Sequence, residues 1–596
     1  MSFDVGTGEG AKPKAPESSF EEGQTEGGAL PLRVIVCADF RGAGAERAPA
    51  PRRARISTFD EDFAALAPAL YLHVPDRIGA SERNLEISLS PKSLGDLRPD
   101  AILAGAEALA PLSLLREQLT GLKDGSLSAD RFEAGLSGHR EHKGLHGVLD
   151  LIERALGGAG SSKAGPAPAS SSSSGSTGDN VLDNLLDMVA MPGEEDAPTP
   201  TELKAKAAIG NLTKGSGGGK PNLTQAEEAL EALCAKQLQP ILADAQLRRV
   251  ESAWRGAKLA LEAAGRSKGI VVELLDTDLA EALPTIKEHV FGPASTVSAA
   301  PPPSLLLLDK AYGRTPADFN ELAELAEGAD LIQAPLIVSL DDAFLGIDAP
   351  SELAGRDQLA DLLGPGLEKW RSLRDSEPSR WLAATYNRIL LRLPHEAGKK
   401  GSRAGGEQIS SAADLLWGNA GWGLLATVIA SNARCGWPSE FRGLKQGLAA
   451  LPQRPEAAPD QRGPVAVRLA ERHVDDFAAA GVIALTYTAR SDQVVVTRGP
   501  VVRKAPPGEP PVYTSLAYQL VATRIAETLL RAKGRIGGKT PEEIAGRWQD
   551  YALAVIGDTG QGGGVGAGVK DGVLSLRILT GHEILNGAEF RLGFSI

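Results

Sequence analysis

Cysteine is scarce: Cys37, Cys234 and Cys435 are the only three in 596 residues, far apart and without a CxxC pair. That excludes a disulfide framework and a zinc ribbon and suits a reducing compartment. A basic excess is missing too. Lys and Arg number 63 against 76 Asp and Glu, a formal charge of −13, which argues against a nucleic-acid partner because phosphate binding needs clustered cations. No apolar run approaches the roughly 18 residues of a membrane span. The first residues lack the basic, apolar, small-residue order of a signal peptide. The expected location is the cytoplasm, with no membrane insertion. Aromatics make up only 5%, while 68 Gly and 39 Pro point to long loops and linkers.

Signatures of catalysis are missing as well. In residues 534–540, GRIGGKT, the first glycine is one residue too near for a phosphate loop, and a helix precedes it where a strand is needed. Thr540, Pro541 and Glu543 read instead as a helix cap. Gly-rich 560–568 reads as a hairpin tip with no helix behind it. His142 and His146 lie four apart without the carboxylate of an HExxH pair, and with His139 read as a solvated helix face. Arg371, Arg374, Asp375, Glu377 and Arg380 each have an opposite charge within a turn, so they read as an ion-pair network at a helix junction. No catalytic, cofactor-binding or metal-ligating residue is expected, and no cofactor.

What is present is several cores' worth of chain, enough for two to four domains. Residues 1–28 have the composition of a disordered tail, except that 2–5, SFDV, alternate as a short strand would. Residues 30–42 form a continuous apolar run, a buried strand. A helix at 58–66, paired strands at 70–74 and 85–89 and a helix at 112–119 follow. Residues 157–180 are a Ser/Gly linker whose coil spans about 25–30 Å. After it, 181–189 make a short amphipathic helix with Leu182, Leu185, Leu186 and Val189 on one side. A helix that short is marginal alone in water and needs a surface, on its own chain or on a partner. Helix at 224–264 precedes strands at 269–276, 305–312 and 331–340 in a βαβ rhythm. Residues 414–435 are a buried helix stopped by Gly436 and Pro438. Strands at 465–469, 483–488 and 494–496, a helix at 517–532 and strands at 573–579 and 589–596 complete the order. The last strand puts Phe590, Leu592, Phe594 and Ile596 on one face, and a terminal strand with an open edge invites another chain.

Four motifs in order resemble the small sheath subunit of bacterial type VI secretion systems: the strand ending in Asp39-Phe40-Arg41-Gly42, the 60–63 helix start, residues 85–100 ending in Leu97-Arg98-Pro99-Asp100, and the 112–119 helix. Pro91 stands where that family has Phe. Beyond the linker, 247–256 LRRVESAWRG, 369–381 KWRSLRDSEPSRW, 388–395 RILLRLPH and the 414–443 stretch with its LWGNA opening and GW…RG close resemble the large sheath subunit of the same systems. A Pro-rich 291–303 replaces that family's FGGEP loop.

The resemblance implies a fold class of α/β: a multi-domain sheath protomer with mixed sheets flanked by helices and with terminal β-strands exchanged between protomers. The expected divisions are an arm at 1–29, a small-subunit-like domain at 30–155, the linker at 156–180, a short helix and flexible segment at 181–223, and a large-subunit-like region at 224–596. It implies a contractile helical sheath, a homopolymer of this chain, that surrounds an inner tube (an Hcp-like protein), joins a baseplate and drives the tube outward. Phe3, Val5, Phe590, Leu592, Phe594 and Ile596 are its strand-exchange residues. Leu182, Leu185, Leu186 and Val189 match a recognition helix for a ClpV-type AAA+ unfoldase. Arg524, Arg531 and Lys533 are candidate inner-tube contacts, with a solvated helix face equally open. The alternatives are a non-contractile scaffold or binding protein, or an enzyme whose site is assembled from distant residues.

Overall fold

The computed structural model describes residues 31–157 and 223–595, apart from short stretches at 44–45, 48, 80–83, 296–301, 365, 449, 456, 458–461, 534, 558–562 and 586. Phe3, Val5, Leu182, Leu185, Leu186, Val189 and Ile596 lie outside the described residues.

Fifteen strands are described: β1 (Leu32–Ala38), β2 (Arg52–Ala54), β3 (Leu70–Pro75), β4 (Asn84–Leu89), β5 (Ile270–Asp276), β6 (Leu305–Tyr312), β7 (Leu336–Leu340), β8 (Leu382–Tyr386), β9 (Ile389–Leu390), β10 (Trp417–Gly418), β11 (Val482–Thr486), β12 (Val495–Val496), β13 (Gly564–Lys570), β14 (Val573–Leu579) and β15 (Glu589–Ser595). Eight form one sheet in the order β12-β11-β8-β7-β6-β1-β5-β2. The six inner strands run parallel, and β5, β7 and β8 are buried at every position. That is what unbroken Ile, Leu and Val runs require when helices cover both faces. The antiparallel edges β2 and β12 have only three and two residues, which blunts them against stray pairing.

The position of β1 matters most. It lies between β5 and β6, parallel to both, with Leu32–Ala38 opposite Ile270–Asp276 on one side and Val34–Cys37 opposite Leu305–Leu308 on the other. The 30–155 stretch therefore supplies an inner strand to a sheet whose other inner strands all come from 224–596, and one hydrophobic core runs through both.

Helices α1 (Phe59–Leu66), α2 (Ala110–Asp124), α3 (Leu223–Leu242) and α4 (Ala245–Ala264) pack on one side with α6 (Ala420–Cys435); α5 (Pro316–Ile332) packs on the other. The expected helix from 414 begins later, at Ala420, because Trp417 and Gly418 pair as β10 with Leu390 and Ile389. Its C-terminus is as read: Gly436 takes φ 78° as the left-handed cap. Strand β7 likewise starts at Leu336, after α5 ends in left-handed Gln333. Two further expectations are corrected. Residues 564–570 are a strand and not a hairpin tip. The turn is Asp571-Gly572, both with positive φ (51° and 73°), as a two-residue type I′ turn requires. His139 is buried, its Nε2 3.1 Å from Gln118 Oε1, so it is no solvated face.

Candidate assembly interface

The motifs of the two stretches meet around α4. Trp254 Nε1 donates to Phe40 O at 2.8 Å, and the rings of Phe40, Phe59 and Phe63 surround that indole. Asp276, the last residue of β5, accepts from Phe40 N (2.9 Å), Arg41 N (3.0 Å) and Arg47 Nη1 (2.8 Å), so it clamps the turn after β1. One turn before Trp254, Glu251 accepts from Arg392 Nε (2.7 Å), Arg392 Nη2 (3.0 Å) and Arg255 Nε (2.8 Å), and Arg392 reaches Glu407 as well. Burial would raise the Glu251 carboxyl, but Arg392 and Arg255 hold it down at about 2. Gly256, two residues past Trp254, lies against the Trp422 ring of α6. Sequence reading matched these motifs one by one and missed that they key into each other. The signal was there in Glu251 and Trp254, one helical turn apart, with Gly256 turned to the opposite side.

The C-terminal sheet is the part with unused edges. Its order is β13-β14-β15, all antiparallel, so one edge of β13 and one of β15 have no strand beside them among the described residues. The inner face carries Leu574, Leu576 and Ile578 of β14 and Phe590 of β15, all buried. It packs on α7 (Leu516–Ala532) and α8 (Pro541–Ile556), the latter capped by Thr540, whose Oγ1 accepts from Glu543 N. Phe590 stacks on Tyr518 of α7 with centroids 4.5 Å apart and planes 10° apart, and the Tyr518 hydroxyl donates to Glu589 O. The outer face presents Gly564, Gly566 and Gly568, where an added Cβ would meet open space, beside Ser575 and Arg577. Glu589 accepts from Arg577 and Arg591, and those two hydrogen bonds hold its carboxyl down at about 2.

Phe590 and Leu592 thus share the inner face, opposite Ile578 and Leu576, and Phe594 is paired in register with Leu574. Strand β15 is bonded along its length to β14 of its own chain, and its far edge has no strand beside it among the described residues. The connection from β14 to β15 crosses Thr580–Ala588, pinned where Ser439 Oγ donates to Ile584 O.

The three candidate cations on α7 separate. Arg524 is only 3% exposed, donates to Asn432 Oδ1 at 2.8 Å and lies over the Trp437 ring. Burial lowers its guanidinium to about 10. It does not reach the protomer surface, which corrects its reading as a tube contact. Arg531 and Lys533 are exposed. In the 369–381 cluster, Arg371 pairs with Glu368 and Arg380 with Glu377, while Arg374 donates to Ala479 O and Val502 O. Among the described residues no group of His, Cys, Asp and Glu is placed to hold a metal ion, and no helix is long and apolar enough to cross a membrane.

Residues 225–500 match the family model of the tail sheath N-terminal domain (VipB, EvpB/VC_A0108), and residues 19–139 match that of type VI secretion system VipA (VC_A0107 or Hcp2). Type VI secretion system sheath protein TssC1 of Pseudomonas aeruginosa is 24% identical over 361 residues, 55% of this chain and 72% of that protein. Solved sheath tail proteins of Listeria innocua and Desulfitobacterium hafniense are similar at 9% and 11% identity, with TM-scores of 0.29 and 0.26. Those likenesses cover 54% and 46% of this chain and 60% of each solved chain, so the chain spans three-fifths of their length. One polypeptide thus carries both a VipA-type stretch and a VipB-type stretch of the type VI secretion sheath proteins.

Proposed function

We propose that this chain is the repeating, non-enzymatic unit of a cytoplasmic sheath whose copies complete each other's C-terminal sheets. The observation that carries the reading is the three-stranded β13-β14-β15 sheet, with one edge of β13 and one of β15 unpaired among the described residues and with β15 reached through the 580–588 connection. A strand that pairs in its own chain can make the same seven-residue register on a neighbour's β14. Exchange of that kind gains a link between copies at little cost in contacts. An added strand, Phe3–Val5 of another copy, has a free edge to take, at about 0.5–1.5 kcal/mol net per backbone hydrogen bond. Single links stay weak enough to rearrange, while the polymer is held by many.

In this reading the polymer surrounds an inner tube of the Hcp kind, is founded on a baseplate, and expels the tube when it shortens. Arg531 and Lys533 are exposed at the end of α7, where they can face either that tube or the next copy. Leu182, Leu185, Leu186 and Val189 are the candidate grip for a ClpV-type unfoldase. The test is negative-stain microscopy of full-length protein beside deletions of 1–28 and of 589–596. Folded protomers without long striated tubes are expected from both deletions. Tubes of undiminished length from both would sink the exchange.

A further inference from the structure

Helix α7 crosses the amino ends of the central strands one at a time. Thr523 Oγ1 donates to Gln333 O, just ahead of β7, at 2.7 Å. One helical step later, Glu527 Oε2 accepts from Ser304 Oγ, just ahead of β6, at 3.3 Å. Four helical residues advance about 6 Å, close to the roughly 4.8 Å between strands, so the next step sets Arg531 over the start of β1. There Arg33 acts on the same Glu527 carboxylate as Arg531 does. Strand β5 begins beside it, with Leu32 N donating to Gly269 O at 2.8 Å, and the turn into β5 carries Arg266 and Lys268. One end of the sheet therefore gathers Arg266, Lys268, Arg531 and Lys533, all exposed, next to Leu530, which is 50% exposed. Arg266 and Lys268 are exposed, while Arg531 is exposed and also acts on Glu527.

Cations bunched in this way stand out on a chain of formal charge −13. Copies that acidic repel one another on assembly unless a positive patch on one meets a negative patch on the next. Acidic surface is present elsewhere, for example Glu327 on α5 and Glu281 before it. We propose that the basic amino edge of the central sheet is a contact between copies, seating acidic surface of the next protomer around an apolar centre at Leu530. A basic patch meeting an acidic one is a heterologous contact, the kind that propagates as a helix and does not close as a dimer. The proposal rests on the sheath reading but is independent of strand exchange.

The test is pelleting and electron microscopy of full-length wild type and of R266E/K268E/R531E at about 0.1 M and 0.5 M salt, where screening lengths are about 10 Å and 4 Å. Wild type is expected to assemble with a critical concentration that rises with salt. The triple variant should melt like wild type yet need at least about tenfold more protein to assemble, while R266K/K268R/R531K behaves as wild type. Should the triple variant fail to fold, R531E alone carries the test. Assembly of the charge-reversed protein at wild-type concentrations overturns the contact, including the case where tubes form normally and only a tube protein is no longer retained. Absence of polymer from wild type at any salt would instead sink the sheath reading, and this contact with it.

Discussion

Gly256 has no room for even one methyl group: a Cβ there would lie 2.3 Å from two carbons of the Trp422 ring. Gly256→Ala should cost about 1–3 kcal/mol, the usual penalty for overpacking, read as a lower melting temperature. Glu251 is fully buried and holds Arg392 and Arg255. Glu251→Gln leaves Arg392 short of a charge partner and should cost about 3–5 kcal/mol, as breaking a buried pair does; Gly256→Ala and Glu251→Gln can be compared in one melting series. Glu527 works the other way. Burial raises its carboxyl to about 7, and Arg531, the Ser304 hydroxyl, Arg524 and Arg33 only partly offset that. In the unfolded chain an ordinary glutamate loses its proton near 4.3. The folded state therefore binds more protons between those two values, and this contribution to stability is full below about 4.3 and lost as pH rises through about 7. Glu527→Gln should remove that loss, raising stability at pH 8 by up to about 3 kcal/mol while changing little at pH 4. Equal melting shifts at both pH values would refute it. None of these energies was readable in the sequence, because Glu251 and Glu527 look like ordinary helix glutamates until their neighbours are known.

Elements with one strong pattern were legible. The apolar runs of β1, β5 and β6 read as buried strands, and the Gly436 stop of α6 is where the chain places it. What failed was local competition. Residues 564–570 alternate Gly with Val and Ala, so glycine suggested a turn, although the positive φ values sit at Asp571 and Gly572. Arg524 read as a surface cation because its helix is amphipathic, while Asn432 and Trp437, far off in the chain, give it a buried seat. Strand β15 read as a strand, and it is one, but periodicity cannot say whose sheet it joins. Its anchor is Phe590, 3% exposed and stacked on Tyr518. Phe590→Ala removes a buried aromatic worth about 3–5 kcal/mol. Amide hydrogen exchange across 589–595 should speed up markedly while β1 stays protected. Uniform exchange changes through the whole chain would mean that the C-terminal sheet does not open by itself.

At the scale of the whole molecule, the linker reading and the sheet topology pull in different directions. Composition marks 157–180 as a joint between two units, yet β1 is hydrogen-bonded on both sides by strands from beyond that joint. Composition suggests where a joint falls; it does not show which strands are neighbours in a parallel sheet, since such pairings span hundreds of residues. Without β1, both β5 and β6 would expose an apolar edge, a template for aggregation. Residues 181–596 produced alone should therefore collect as aggregate, whereas 1–180 supplied as a separate chain should pair with them and restore a soluble complex with cooperative melting. The fusion would then act by raising effective concentration and fixing a one-to-one ratio, not by creating new contacts. Soluble 181–596 that melts like the intact chain would show that β1 is an addition to a finished sheet and not its missing centre.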